Sequence, residues 1–243
     1  MEHPTKYPVQ RGEVGYNVKL VQEWLCLEAD APTVVVDGDF GPATEAAVKE
    51  YQKSSGLKVD GIVTEEVFNR LSKPMTDALK QLPQASSLKQ MVLDYALQHV
   101  KSHPRELRKR NEGPWVRLYC RGMDGDPYAW CCGFVSFILK QACETMGVTP
   151  PLKYTLDCDD LKNQATIKGV FKKFSDGGSG KPGDIFVIWY PQKQYWGHTG
   201  IALEPESDHM LTIEGNTNDV GSPEGYEACK RSRSYGNIGF ISV

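Results

Sequence analysis

Two adjacent cysteines, Cys131 and Cys132, open the apolar stretch WCCGFVSFILKQA and could supply a nucleophile. A thiol becomes reactive when its pKa falls, and the positive end of a helix beside an imidazole has that effect. The apolar residues that follow recur at helical spacing, which predicts that a helix begins at this pair. Steps of four and seven residues from Cys131 reach Val135 and Ile138 on the apolar face. We therefore predict Cys131 as the nucleophile, since Cys132 is turned by about 100° around the helix axis.

The cysteine pair also has structural interpretations. Buried cysteines commonly behave as small hydrophobic residues, and two adjacent cysteines can form a strained vicinal disulfide. The chain has seven cysteines, an odd number, without paired metal-ligand spacing. This pattern favours reduced thiols over structural zinc.

One of the five histidines, His198, lies in WGHTGIAL at the entrance of a predicted strand. If HTGIAL and MLTIEGN form a hairpin around residues 205–208, His198 lies opposite the segment 214–216. That segment contains Glu214 and Asn216, and either side chain could fix the tautomer and orientation of an imidazole base. The sequence therefore predicts a cysteine–histidine site at one end of a sheet.

The elements around these residues change character along the chain. Helical patterns come first, in LKQMVLDYALQHV and from WCC onward. Short β-rich runs follow, DIFVIWY, HTGIAL, MLTIEGN and IGFISV, separated by Gly, Pro and Asn as in an antiparallel sheet. Helices followed by strands predict an α+β domain, to which we assign residues 88–243.

The N-terminal part of the chain contains a short internal repeat. The Asp-Gly pair at 37–38 recurs at 60–61, each time preceded by Val and followed by a helical pattern. Asp-Gly suits a tight turn, because Gly tolerates positive φ and Asp can bond nearby amides. Together with the amphipathic stretch YNVKLVQEWLCLE, the repeat predicts an all-α three-helix bundle over residues 1–75. We interpret the polar segment 76–87 as a linker.

The motifs WCCGFVSFILKQA, KPGDIFVIW, GHTGIAL and TIEGNTN, in this order and spacing, resemble the CHAP (cysteine, histidine-dependent amidohydrolase/peptidase) domain. The resemblance covers about residues 88–243 and implies a papain-like fold. It also implies an active site of these residues: Cys131 as nucleophile, His198 as general base, and Glu214 with Asn216 orienting and polarising the imidazole.

Two features near the nucleophile need a separate interpretation. Cys132 fills a position that a small residue usually holds in CHAP domains, and a second thiol so close predicts redox sensitivity. Some CHAP enzymes carry calcium near the nucleophile, and the nearby candidate is MDGDPY, with Asp124 and Asp126. This stretch lacks the run of spaced oxygen ligands that a calcium loop needs. We interpret it as a turn and predict no metal and no cofactor.

The motifs RGEVGYNVKLVQEWL, VDGDFGPATEAAVKEYQ and GLKVDGIV resemble the three-helix peptidoglycan-binding domain found beside wall hydrolases, over about residues 7–73. At the second repeat, Thr64 and Val67 stand where Gly and Thr are usual. The resemblance implies a wall-facing groove around the first turn, formed by Asp37, Gly38, Phe40, Gly41 and Thr44. Each of these residues can equally shape the turn or cap the helix.

Together the two resemblances imply a peptidoglycan hydrolase, similar to a modular phage endolysin. The front domain would hold the polymer, and the rear domain would cleave an amide as an N-acetylmuramoyl-L-alanine amidase or an endopeptidase. Two alternatives are a catalytically inactive wall-binding protein and an amidase for small amides. We expect the loops at 150–180 and 216–237 to set specificity.

Composition argues against other classes of partner. The net charge of −3 over 243 residues gives no electrostatic reason to bind nucleic acid or an anionic membrane. We interpret the basic clusters RELRKR and KRSR as solvated faces. No apolar run approaches the ~18 residues that a membrane span requires, so we expect no membrane insertion. We expect a monomer, made in the bacterial cytoplasm without a signal peptide, that acts on the cell wall after release or delivery.

Overall fold

A computed structural model describes residues 1–28, 34–108, 110–218 and 225–243. The chain divides into two units, Met1–Asp77 and Ala78–Val243. The first is helical, and the second combines helices with one antiparallel sheet, which confirms the predicted order of a helical region followed by an α+β region. None of the helices in the described ranges has the length and apolar character that a membrane crossing requires.

The N-terminal unit packs short amphipathic helices around a small apolar core. Its described helices are α1 (Tyr16–Leu27), α2 (Pro42–Ser54), α3 (Glu65–Leu71) and α4 (Lys73–Ala78), whose last residue belongs to the second unit. Helices α1 to α3 lie within the predicted range of 1–75, and α4 follows α3 after one residue. The arrangement as a three-helix bundle stays a prediction. Thr64 caps α3, because its Oγ1 accepts a hydrogen bond from the Val67 amide at 3.3 Å.

The internal repeat of the sequence is also a structural repeat. Gln22 Oε1 accepts from the two amides of the Asp-Gly pair at 37–38, at 3.1 and 2.8 Å. Gln52 does the same for the pair at 60–61, at 3.0 and 2.9 Å. Both glycines have φ of 77°, which only glycine adopts without strain. Each turn is therefore fixed by one glutamine of the helix that precedes it.

The C-terminal unit contains helices on a six-stranded sheet. The helices are α5 (Leu88–Lys101), α6 (Pro114–Tyr119), α7 (Cys131–Met146) and α8 (Cys158–Ile167). The strands are β1 (Phe171–Lys173), β2 (Ile185–Tyr190), β3 (Tyr195–Pro205), β4 (His209–Thr217), β5 (Glu227–Ser234) and β6 (Ile238–Ile241). Their order is β1-β6-β2-β3-β4-β5, and all neighbouring strands are antiparallel. Helix α7 packs against α5 and against β3 and β4.

The division between the units falls inside the segment 76–87, and part of this segment is bonded to the C-terminal unit. Gln98 Nε2 donates to the carbonyls of Ala78 and Lys80 at 2.9 and 2.8 Å. Gln84 Nε2 donates to a carbonyl of α7 at 2.9 Å. These contacts attach the chain that precedes α5 to the surface of α5 and α7.

Candidate active site

The predicted site residues lie on three elements of the C-terminal unit. Cys131 begins α7, His198 lies in β3, and Glu214 and Asn216 lie in β4. The predicted β3–β4 hairpin forms, with Ile201 paired to Ile213. Continuing this register toward the start of β3 sets His198 opposite Asn216, within the predicted segment.

His198 is completely buried, and its Nε2 lies 2.8 Å from Glu214 Oε2. Its Nδ1 makes no hydrogen bond with a described residue. Because Glu214 holds Nε2, Nδ1 is the nitrogen left to serve Cys131, with which the imidazole interacts electrostatically. Burial by itself lowers the pKa of His198, but its interactions with Cys131 and Glu214 outweigh burial and raise that pKa to about 9. The imidazole is therefore a strong base held inside the protein.

The Glu214 carboxylate is buried and surrounded by donors. Its Oε1 accepts from Thr212 Oγ1 at 2.6 Å and from Arg233 Nε at 2.8 Å. Its Oε2 accepts from Arg233 Nη2 at 2.6 Å, in addition to the contact with His198. Burial alone raises the pKa of this carboxyl, but Arg233 and His198 reverse the effect and lower it to about 2. Glu214 is therefore an anion across the physiological pH range.

Sequence reasoning missed Arg233 because it assigned KRSR to a solvated face. That interpretation is wrong for Arg233, whose side chain is 19% exposed and bonds Glu214 with two nitrogens. The cluster lies in β5, where exposure alternates: Arg231 and Arg233 are partly buried, and Lys230 and Ser232 are exposed. The period-2 spacing of the two arginines was the available signal for a strand with one inward face.

Cys131 is 4% exposed and lies at the N-terminal end of α7, as predicted. Its sulfur lies 3.9 Å from that of Cys158, the first residue of α8. The contact with Cys158 and burial raise the pKa of the Cys131 thiol above its ordinary value, and His198 acts in the opposite direction. Formation of the thiolate therefore depends on transfer of the proton to His198.

The site contains three thiols rather than the pair that the sequence suggested. Cys132 and Cys158 are buried, and all seven cysteines of the chain, each in a described range, are free. A hydrogen bond with Cys158 acts to lower the pKa of Cys132, but burial and Cys131 raise it overall. Sequence reasoning did not single out Cys158. The sequence signal for a helix that begins at Cys158 was Asp157, a residue type that often caps helices. In the structure, Asp157 Oδ1 accepts hydrogen bonds from the amides of residues 159 and 160 at 2.7 and 3.1 Å.

Asn216 reaches the site region without bonding the imidazole. It is 1% exposed, and neither its Oδ1 nor its Nδ2 makes a hydrogen bond with a described residue. Its φ of 52° is left-handed and coincides with a register shift between Glu214 and Thr217. The observed partner of His198 is thus Glu214, and a role of Asn216 toward the imidazole stays a prediction.

Close packing fixes the start of α7 against β4. Trp130, just before Cys131, donates through Nε1 to Glu106 Oε1 at 2.7 Å, and its ring stacks on that of Tyr119 with 5.4 Å between the ring centroids. Glu106 is itself buried, so the RELRKR cluster is not a solvated face along its whole length. A Cβ on Gly215 would lie 2.7 Å from the Cβ of Phe134. The glycine of the TIEGN motif therefore lets β4, which carries Glu214 and Asn216, approach α7 closely.

The stretch MDGDPY contains a bend at Gly125 and a turn at Asp126 and Pro127, in agreement with its interpretation as a turn. Asp124 Oδ2 accepts from Arg117 Nη1 at 2.7 Å and from the Gly113 amide at 3.0 Å. Across the described ranges, His, Cys, Asp and Glu side chains do not form a group of three or more placed to hold a metal ion.

In the N-terminal unit, three of the five predicted wall-binding residues are buried. Phe40 and Thr44 are 0% and 3% exposed, and Gly38 is buried. Asp37 is exposed, and the Asp39 amide and Gln22 lower the pKa of its carboxyl. Asp37 and Gly41 are the members of the set with accessible surface. The wall-facing groove at this turn stays a prediction.

Two family models match the chain in the order that its motifs predict. A peptidoglycan binding domain matches residues 14–71, and a CHAP domain matches residues 123–216. The chain thus carries a peptidoglycan-binding domain followed by a CHAP domain.

Two known proteins are similar to short parts of the chain. The zinc D-Ala-D-Ala carboxypeptidase of Streptomyces albus G is 43% identical over 44 residues, which are 18% of this chain and 17% of that protein. The chain therefore spans less than a fifth of the length of this relative. The crystal structure of the SleB N-terminal domain is 32% identical, covering 28% of this chain and 93% of that chain with a TM-score of 0.27.

Proposed function

We propose that this protein is a peptidoglycan hydrolase in which a papain-like C-terminal unit cleaves an amide bond by cysteine catalysis. The observation that carries the proposal is the buried His198–Glu214 pair at 2.8 Å, with the His198 ring in electrostatic contact with a thiol at a helix start. The matches to a CHAP domain and a peptidoglycan-binding domain support the substrate class.

The chemistry follows from the three side chains in order. His198 removes the proton from Cys131, and the thiolate attacks the carbonyl carbon of the scissile amide. Backbone amides at the start of α7, including that of Cys131, stabilise the oxyanion. The imidazolium then protonates the leaving amine, and water releases the acyl group from sulfur. Glu214 holds the imidazole in one tautomer throughout and stabilises its charged form.

The N-terminal unit raises the rate of cleavage of an insoluble polymer by retaining the protein on that polymer. A weak wall binder in the same chain keeps the catalytic unit at a high effective concentration of substrate. This advantage disfavours the alternative of an amidase for small amides. The intact Cys131, His198 and Glu214 disfavour an inactive wall-binding protein. The endolysin-like biology stays a prediction.

Mass spectrometry of fragments released from purified peptidoglycan tests the proposal and identifies the bond. An amidase frees the whole stem peptide from the glycan, and an endopeptidase creates new peptide amines within or between stems. Either product set, absent from a Cys131→Ser digest, supports the proposal. Fragments with new reducing sugar ends and intact peptides contradict it, because cysteine catalysis of the kind described cleaves amides.

A further inference from the structure

Arg233 contacts the buried carboxylate of the site at two points. Its Nε lies 2.8 Å from Glu214 Oε1, and its Nη2 lies 2.6 Å from Oε2. Two parallel N–H···O bonds fix both the position and the plane of a carboxylate, which a single bond does not. The oxygen that faces His198 is thus one of the two that Arg233 holds.

The register of the sheet explains why an arginine fills this role. Glu214 pairs with Cys229, and Arg233 pairs with Met210, four residues away along β4. That offset is about 13 Å at the rise of a strand, so the Arg233 side chain must extend along the sheet to reach Glu214. A long, rigid, forked cation meets this requirement.

The charges at the site balance when Arg233 is included. A thiolate and Glu214 supply two negative charges, and the imidazolium and Arg233 supply two positive charges. Glu214 and His198 are both 0% exposed, so a surplus charge would have little water to stabilise it. Without Arg233, the His198–Glu214 pair can lower its energy by moving the proton from the imidazolium to the carboxylate, which leaves both groups neutral.

Arg231, which lies on the same strand as Arg233 and pairs with Thr212, is a second cation near the pair, and it interacts with Cys229. The other titratable groups that interact with Glu214, His198 or Arg233 come from α7, β2 and β5, and they are Cys131, Tyr190 and Cys229. Thiols and phenols are neutral or negative. Arg233 is the cation that bonds the carboxylate directly.

We propose that Arg233 is a positioning residue of the cysteine–histidine site: by fixing both oxygens of Glu214, it holds His198 with Nδ1 directed to Cys131 and lets the ring keep the proton that it takes from the thiol. The catalytic meaning of this inference rests on the proposed function. The effect on the thiol does not, because thiol reactivity can be measured without a wall substrate.

The test compares the pH dependence of Cys131 alkylation by iodoacetamide, followed by peptide mass spectrometry, in the parent and three variants. Arg233→Met removes the cation, Arg233→Lys retains charge but not the two-point contact, and Lys230→Met removes an exposed cation from the same strand. Thermal melts of each variant establish that it is folded. Wall-clearing kinetics are measured in parallel as kcat and KM.

We expect Arg233→Met to slow alkylation near neutral pH and to shift its profile toward that of an ordinary buried thiol. Each unit by which the thiol pKa rises lowers the thiolate fraction about tenfold. Arg233→Lys is expected to lie between Arg233→Met and the parent, and Lys230→Met to match the parent. In wall clearing, kcat falls with the thiolate and KM changes little, because Arg233 acts through Glu214.

An alkylation profile within about twofold of the parent in a folded Arg233→Met variant overturns the inference. If Arg233→Met does not fold, the test uses a folded Arg233→Lys variant. An alkylation profile like that of the parent in Arg233→Lys overturns the proposed role of the two-point contact. Shifted alkylation profiles in a protein that releases no wall fragments support the positioning role and reject the hydrolase. Fragment release with unshifted profiles rejects the positioning role alone.

Discussion

The sulfur atoms of Cys131 and Cys158 lie 3.9 Å apart, and each cysteine is the first residue of a helix. This relationship identifies a partner for oxidation that differs from the adjacent Cys132. A disulfide needs the sulfurs to close to about 2.05 Å, which is a small movement of two side chains.

Mild oxidation is therefore expected to inactivate the protein reversibly. With hydrogen peroxide, the two thiols lose two electrons and two protons to form a disulfide, and the peroxide is reduced to two waters. Dithiothreitol should restore wall clearing in the parent and in Cys132→Ser. In Cys158→Ser, inactivation should become irreversible, because the thiol 3.9 Å from the Cys131 sulfur is gone and the oxidised Cys131 proceeds to sulfinic acid. Peptide mapping that links residues 131 and 132, or full recovery of Cys158→Ser, contradicts this prediction.

The alkaline limit of activity should follow the titration of His198. Its pKa is raised to about 9, so the imidazolium that protonates the leaving amine is lost as pH rises through that value. In Glu214→Gln the carboxylate that favours the charged ring is gone. The pKa of His198 should then fall, and the decline in clearing rate should begin at lower pH.

The control for this pH profile is Asp208→Asn, which removes a carboxylate 2.7 Å from the partly buried His209 and should leave the profile unchanged. Rates measured from about pH 6 to pH 10 cover both ordinary and raised histidine pKa values. An unmoved alkaline limit in a folded Glu214→Gln variant contradicts the assignment of that limit to His198.

Gly215 should not tolerate a methyl group. Its Cβ would lie 2.7 Å from Phe134 Cβ and 2.9 Å from the Trp130 ring, so Gly215→Ala must push β4 away from α7. Overpacking of this kind costs about 1–3 kcal/mol of unfolding free energy, and here it also displaces Glu214. Gly236→Ala is the matched control, since a Cβ there meets nothing within 4 Å. Chemical denaturation and wall clearing of both variants check the prediction, which equal stability of the two would contradict.

The structural repeat of the N-terminal unit permits a paired test of the wall-facing groove. Gln22→Ala and Gln52→Ala each remove the side-chain acceptor of two turn amides, at a cost of about 1–3 kcal/mol where those amides stay dry. If the groove lies at the first turn, Gln22→Ala should reduce sedimentation with insoluble peptidoglycan and Gln52→Ala should not. Both are made with Cys131→Ser to spare the polymer. If both variants lose binding to peptidoglycan equally, the first turn is not the specific binding site.

Strong periodicity predicted the elements that carry the reacting groups. Helix α7 follows from apolar residues at helical spacing, and the β3–β4 hairpin follows from two β-rich runs around a short turn. Strand β5 was not predicted, because EACKRSRS has no alternation of apolar residues. Its inward-facing Arg233 is stabilised by the buried carboxylate of Glu214. That pairing is a tertiary contact, and no local pattern encodes it.

Other features of the site depended on where distant segments meet. Helix α8 lies in a region expected to be a specificity loop, and its first residue brings a third thiol close to Cys131. The sequence left open whether Glu214 or Asn216 holds the imidazole. The answer depends on side-chain direction at a register shift, which the sequence does not specify.

The most direct test of the account is the rate at which purified walls clear with Cys131→Ser and with Cys143→Ser. Both positions are buried thiols of α7, and they are separated by about 18 Å along the helix. We predict that Cys131→Ser lowers the rate about a thousandfold or more, whereas Cys143→Ser clears walls at nearly the parent rate. Clearing by a folded Cys131→Ser variant at the rate of the parent would contradict cysteine catalysis at this site.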